Sequence, residues 1–282
     1  MKDRYAADVG DYGKFGLLRA LCSLRGLPGS RLRLGVVWYR TLDEVASRDG
    51  EILNYTREDR RNEFRDCDPD LYDVLVQLVR AGRRSLREVE RSGILGPSTR
   101  YYARLLSYDA IPGKAERVET RSRWFRGALR TTEGCQVVFL DPDNGVAPTS
   151  VALHHRLAPK YVYDHELQPF IRRRQSLIVY HHLGRSGSGE EQVRTLLKRI
   201  RTLAPNVKAA HALWFHRGTS RVFLIVSAAR HSGLLMKRSG FLLNGAWGAH
   251  FTRLSEPEVR DDSYTVRFDV DTWLCSRPQR GS

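Results

Sequence analysis

Two carboxylates, an amide and two chain-breakers arrive together at the end of an apolar run in CQVVFLDPDNG, residues 135–145. Val137, Val138, Phe139 and Leu140 read as a strand buried on both faces, and Asp141-Pro142-Asp143-Asn144-Gly145 ends it. Proline fixes its own backbone angle and pushes the residue before it towards extended geometry, and glycine permits the turn that follows. The polar groups therefore emerge at the carboxyl end of a strand, the edge at which open α/β sheets bind ligands. Clustering acids beside a buried strand is costly unless a cation, a donor or a substrate faces them.

One chemistry open to this set is metal-dependent phosphodiester hydrolysis. Asp141 and Asp143 at i and i+2, with Asn144 beside them, offer oxygen ligands to Mg2+. Glu166 would complete the shell, and His181 or His182 would act as base or phosphate contact. The run is not an EF-hand: Gly145 falls one place early and position 152 is Ala152.

A second polar cluster opens the chain, in YAADVGDYGKFGLLRALCSLR from Tyr5. Phe15, Leu17, Leu18 and Leu21 follow helical spacing, Asp8 or Asp11 can cap that helix, and Gly10, Gly13 and Gly16 suggest a close-approach loop before it. The glycine spacing differs from GxGxxG and follows no strand, so a dinucleotide fingerprint is not indicated.

The elements that must position these groups alternate. Residues 32–39 form the first predicted strand, Asp68-Pro69-Asp70 starts a helix over 71–82, and a charged helix follows over 85–92. Tyr101, Tyr102, Leu105 and Leu106 suggest another helix, and residues 121–129 a short one before the central strand. Further on come a helix over 164–173 capped by Asp164, a strand over 176–180 and an amphipathic helix over 190–203. Residues 207–215 and 221–227 read as an antiparallel pair. The pattern predicts one α/β domain over 1–275, with a mostly parallel sheet, a C-terminal antiparallel hairpin and a helical insertion at about 56–110. Residues 276–282 are expected to be a disordered tail.

Lys and Arg outnumber Asp and Glu by 47 to 32 in 282 residues, a formal +15, which favours a polyanionic partner, nucleic acid foremost. Cys22, Cys67, Cys135 and Cys275 form no CxxC pair, excluding a zinc ribbon or redox motif and suggesting reduced thiols. The absence of a charged-then-apolar leader and of a membrane-length apolar run predicts a cytoplasmic protein with no membrane partner.

The order of parts resembles class I S-adenosylmethionine-dependent methyltransferases, nearest to the large-subunit ribosomal RNA adenine methyltransferases. The pieces that carry the likeness are residues 8–18, residues 34–39, Trp124, Leu140-Asp141-Pro142 and residues 177–182. The DVGDYGK start and the LDPDNG motif also resemble an uncharacterised bacterial family. The resemblance implies a Rossmann-like methyltransferase-type sheet, S-adenosylmethionine as cofactor and methyl transfer to a base in RNA or DNA. It makes Asp141, Pro142, Asp143 and Asn144 the catalytic set, with Asp141 accepting a hydrogen bond from the target amine and the Pro142 carbonyl orienting it. Asp43 or Glu44 would hold the ribose hydroxyls, with Asp11, Tyr12 and Lys14 near the donor or substrate. Lys14, Arg121, Arg123 and Arg185 would contact phosphates. Asp143 and Asn144 stand where that family usually carries proline and a stacking aromatic, and no glycine follows the first strand until Gly50. A third reading is a non-catalytic nucleic-acid-binding protein on the same scaffold.

Overall fold

Strands with apolar side chains on both faces need cover on both sides, and that requirement sets the layering. The computed structural model describes residues 1–22, 30–42, 50–184, 187–204, 207 and 209–255. In chain order the elements are α1 (Val9–Cys22), β1 (Leu34–Trp38), α2 (Arg61–Arg65), α3 (Pro69–Arg80), α4 (Leu86–Ser92), β2 (Arg100–Tyr102), α5 (Lys114–Thr131) and β3 (Val137–Asp141). Then follow β4 (Gly145–Val146), β5 (Tyr161–Val162), α6 (Asp164–Arg172), β6 (Ser176–His182), α7 (Gly189–Leu203), β7 (Ala209–Phe215), β8 (Arg221–Ser227), α8 (Ser232–Asn244) and β9 (Phe251–Ser255).

Seven strands form one sheet in the order β2-β1-β3-β6-β8-β7-β9, and β4 pairs with β5 in a separate parallel pair. From β2 to β6 the neighbours are parallel; β8 runs antiparallel to β6 and β7, and β9 antiparallel to β7. This is a mixed α/β sheet with a parallel half and an antiparallel C-terminal half. Val36, Trp38, Val137 and Phe139 pack into one apolar layer with α1, α3 and α8. Val37, Val138 and Leu140 pack into the other with α5, α6 and α7.

Asp68 caps α3 through the Leu71 N–H at 3.2 Å, and Pro69 fills the first helical position, as the sequence predicts. Four expectations are corrected. Gly10, Gly13 and Gly16 lie inside α1, not in a loop before it. They occupy one face, where added Cβ atoms would sit 2.2 Å from the Arg221 guanidinium carbon, 2.6 Å from the Phe215 ring and 2.1 Å from the Trp247 ring. Arg100–Tyr102 is an edge strand on β1 where helix is expected, because Tyr101 and Tyr102 pair with Val36 and Val37. Asp164 does not cap α6; the Glu166 carboxylate accepts the Tyr163 N–H at 3.0 Å instead. The helix expected over 121–129 is the C-terminal part of the longer α5.

Cys22, Cys67 and Cys135 are buried free thiols. No helix among the described residues is long and apolar enough to cross a membrane. The tail expected over 276–282 lies outside the described residues.

Candidate active site at the carboxyl edge of the parallel strands

Asp141 is the last residue of β3 and stands opposite Trp38 at the end of β1. The turn after it, Pro142-Asp143-Asn144, lines a cavity of about 370 Å³. Asp8, Gly10, Asp11 and Lys14 from the start of α1 form the facing wall, and Tyr180, His182 and Arg221 close the side towards β6 and β8. Gly145 has φ 99°, and a Cβ there would lie 2.3 Å from His181 Nδ1, so the turn requires glycine to pass β6.

Lys14 Nζ bridges the two walls, 2.7 Å from Asp11 Oδ1 and 2.9 Å from Asp141 Oδ2. All three side chains are buried. Burial pushes the Asp11 carboxyl up to about 7; Lys14 pulls it back, and Asp8 and Asp141 push it further up. Burial opposes the charge on Lys14, but Asp11 and Asp141 outweigh it and hold the ammonium above its ordinary range. The Lys14 ammonium also lies 5.7 Å from the Trp38 ring centre and 5.8 Å from that of Tyr180. Asp11 Oδ2 accepts the Ala7 N–H at 3.2 Å, and Asp8 Oδ1 caps α1 by accepting the Asp11 N–H at 2.8 Å. Ala7 carries a left-handed φ of 61° at this entry into the helix.

Asp143 points elsewhere in the same cavity. Its carboxylate lies 3.1 Å from the Met1 ammonium, which donates to the Tyr39 carbonyl at 2.7 Å, and 3.8 Å from Lys2 Nζ. Arg221, buried on β8, reaches Asp8 Oδ2 at 3.2 Å. Burial pushes the Tyr180 hydroxyl up to about 12, with Arg221 and Lys14 pulling it down. The cavity thus alternates carboxylates with ammonium and guanidinium groups, an arrangement suited to a ligand carrying both signs of charge.

Of the residues expected from sequence, Asp11, Lys14, Asp141, Pro142, Asp143, Asn144 and His182 converge here. Others do not. Tyr12 is a core residue among Tyr55, Phe64 and Trp247, its hydroxyl donating to the Phe64 carbonyl at 2.6 Å. Arg121 is no phosphate contact. Its buried guanidinium grips Glu166 at 2.8 Å and donates to the Ala158 and Tyr161 carbonyls at 2.9 and 2.7 Å. That pairing also removes Glu166 from any metal shell. His181 accepts the Val146 N–H through Nδ1 at 3.1 Å, and burial, then His182 and Arg199, push its pKa down to about 4. The metal set of Asp141, Asp143, Glu166 and His181 therefore does not assemble. Among the described residues no three His, Cys, Asp or Glu are grouped to hold a metal ion. Arg123 is exposed on α5, 3.8 Å from Glu119. Asp43, Glu44 and Arg185 lie outside the described residues.

Sequence reasoning missed Arg221 and Tyr180 as cavity residues. Arg221 meets Asp8 across a separation of 213 residues, and no local pattern at the start of β8 marks it. Tyr180 was legible only as the last apolar residue of its strand.

No family model matches this chain, and no curated protein matches its sequence. Among solved structures, protein LPL1258 from Legionella pneumophila, of the family DUF519, is similar at a TM-score of 0.40 and 10% identity. That likeness covers 90% of this chain and 97% of the Legionella chain, and at this level it says nothing about chemistry.

Proposed function

We propose that the cavity beside Asp141 binds S-adenosylmethionine and carries methyl transfer to a base amine of RNA or DNA. The observation behind the reading is the convergence of the Asp141-Pro142-Asp143-Asn144 turn and the α1 residues Asp11 and Lys14 on one cavity at the carboxyl edge of a parallel sheet. The antiparallel β7–β8 pair at the C-terminal side is in keeping with the resemblance carried by the sequence.

The cavity's charges fit a zwitterionic, positively charged ligand of this size. Asp8, Asp11 and Asp143 supply acceptors for an amine, a ribose diol or a cationic sulfur, and Arg221 supplies a guanidinium for a carboxylate. The volume lies within the ~300–1,000 Å³ usual for small-ligand sites. When bound, the cofactor supplies an electrophilic methyl group. The protein's part is alignment: Asp141 accepts a hydrogen bond from the target amine, and Lys14 holds Asp141 in place. Phosphodiester hydrolysis through Mg2+ is not proposed, because Glu166 and His181 are engaged away from the cavity.

Titration calorimetry with S-adenosylmethionine tests the reading directly. Wild-type protein should release or absorb heat with one site per chain, and Asp141→Asn and Arg221→Ala should weaken it. Labelled methyl should then pass to total RNA or to DNA, with Asp141→Asn inactive. A wild-type titration without heat, together with retention of nucleic acid, points to the non-catalytic binding protein instead.

A further inference from the structure

A second polar cavity, of about 520 Å³, opens at the opposite, amino edge of the sheet. Arg33 enters it from just before β1, Arg173 from just after α6, and Arg230 from the turn after β8. All three side chains are exposed. Arg173 donates to the Leu129 carbonyl at 2.7 Å and Arg230 to the Arg174 carbonyl at 3.3 Å. None of the three has a carboxylate partner among the described residues, and Glu133 is the one acid in the lining.

Exposed Arg80, Arg87, Arg104 and Arg156 likewise have no carboxylate partner among the described residues, whereas other arginines are paired, so what distinguishes Arg33, Arg173 and Arg230 is that they line one cavity. Arg57, Arg61, Arg65 and Arg194 lie 2.7–3.2 Å from Asp59, Glu58, Asp73 and Glu190 respectively. Three guanidiniums from separate elements line one concavity that holds a single acid, a positive lining that favours an anion. Buried Gln175 also lines this cavity; its Nε2 donates to the Thr132 and Cys135 carbonyls, both at 2.8 Å, and its Oε1 has no partner. An anion answers the three guanidiniums.

We infer that the cleft lined by Arg33, Arg173 and Arg230 binds the phosphodiester backbone of a nucleic acid. The five residues of β3 separate this edge from the candidate active site by about 16 Å at ~3.3 Å per residue. Contacts here position the polymer away from the reacting base, as phosphate contacts generally do. The inference rests on the nucleic-acid half of the proposed function and not on the methyl donor.

Fluorescence anisotropy of a labelled single-stranded RNA and the DNA of the same sequence, over a salt series, tests it on the full chain. R33A/R173A/R230A should weaken RNA binding and reduce the slope of log K against log salt by about 2, at ~0.7 per lost contact. The control R57A/R61A/R194A, which removes three paired arginines, should leave that slope within error of wild type. An unchanged slope in R33A/R173A/R230A, or a wild type that binds neither polymer, overturns the inference. Heat from S-adenosylmethionine in R33A/R173A/R230A reports separately on the methyl-donor site, so failure of one reading leaves the other standing.

Discussion

Lys14 Nζ lies 2.9 Å from Asp141 Oδ2, although 127 residues separate them. The same ammonium holds Asp11, so one buried cation serves two buried acids from different elements. Removing it leaves both carboxylates without their counter-charge in a desolvated wall. Breaking a buried pair from one side costs about 3–5 kcal/mol. Lys14→Met should therefore lower the urea midpoint sharply at pH 8, and less at pH 6, where Asp11 can take up a proton. Equal loss at both pH values would show that Asp11 stays ionised.

Asp11 makes a separate pH prediction in the wild type. Its pKa is raised from 3.8 to about 7, chiefly by burial. A folded-state pKa above the unfolded one gives stability that is full below the unfolded value and lost as pH rises through the folded value. This group's contribution should thus decline from about pH 4 to about pH 7 and level off beyond, at on the order of 1 kcal/mol per pH unit. Asp11→Asn should flatten that decline in urea-unfolding series at pH 5, 6, 7 and 8. A variant whose stability parallels wild type across the series contradicts the shift.

The glycines of α1 and α8 should respond oppositely to alanine. A Cβ on Gly16 would sit 2.1 Å from the Trp247 ring, whereas Gly240 has open space around it. Overpacking of this kind costs about 1–3 kcal/mol, while relieving a helical glycine gains up to ~1 kcal/mol. Gly16→Ala should lower Tm and Gly240→Ala should raise it, as measured by calorimetric scans. A neutral Gly16→Ala would mean that the helix can shift away from Trp247 at no cost.

How much of this was legible beforehand depends on how local the signal was. Val137 to Leu140 announced a doubly buried strand because every residue there faces a core, and Asp68-Pro69 announced a helix start through a cap that acts within three residues. Asp11, Lys14 and Asp141 were legible as polar groups next to apolar elements. Their meeting was not, since it depends on how α1 crosses the sheet. The glycines at 10, 13 and 16 misled because intrinsic helix propensity disfavours them, whereas contact with Arg221, Phe215 and Trp247 demands them. Tyr101 and Tyr102 misled because only pairing with β1 decides between strand and helix for so short a run. Arg121 was read as a phosphate ligand from charge alone, and charge alone cannot reveal Glu166, which is 45 residues away.

That last pair carries its own prediction. Arg121 and Glu166 form a two-point contact, Nε to Oε1 and Nη2 to Oε2 at 2.8 Å each, in a fully enclosed site with Tyr39 and Tyr163 alongside. Arg121→Met should strand the Glu166 carboxylate and cost about 3–5 kcal/mol in urea unfolding. Adding Glu166→Gln should recover part of that loss, because the second change removes the uncompensated charge. The salt slope for RNA binding should stay the same in R121M/E166Q as in wild type, since a guanidinium saturated by a carboxylate and two carbonyls has no donor to spare for a phosphate. A slope reduced by about 0.7 in a variant that remains folded would return Arg121 to the nucleic-acid surface.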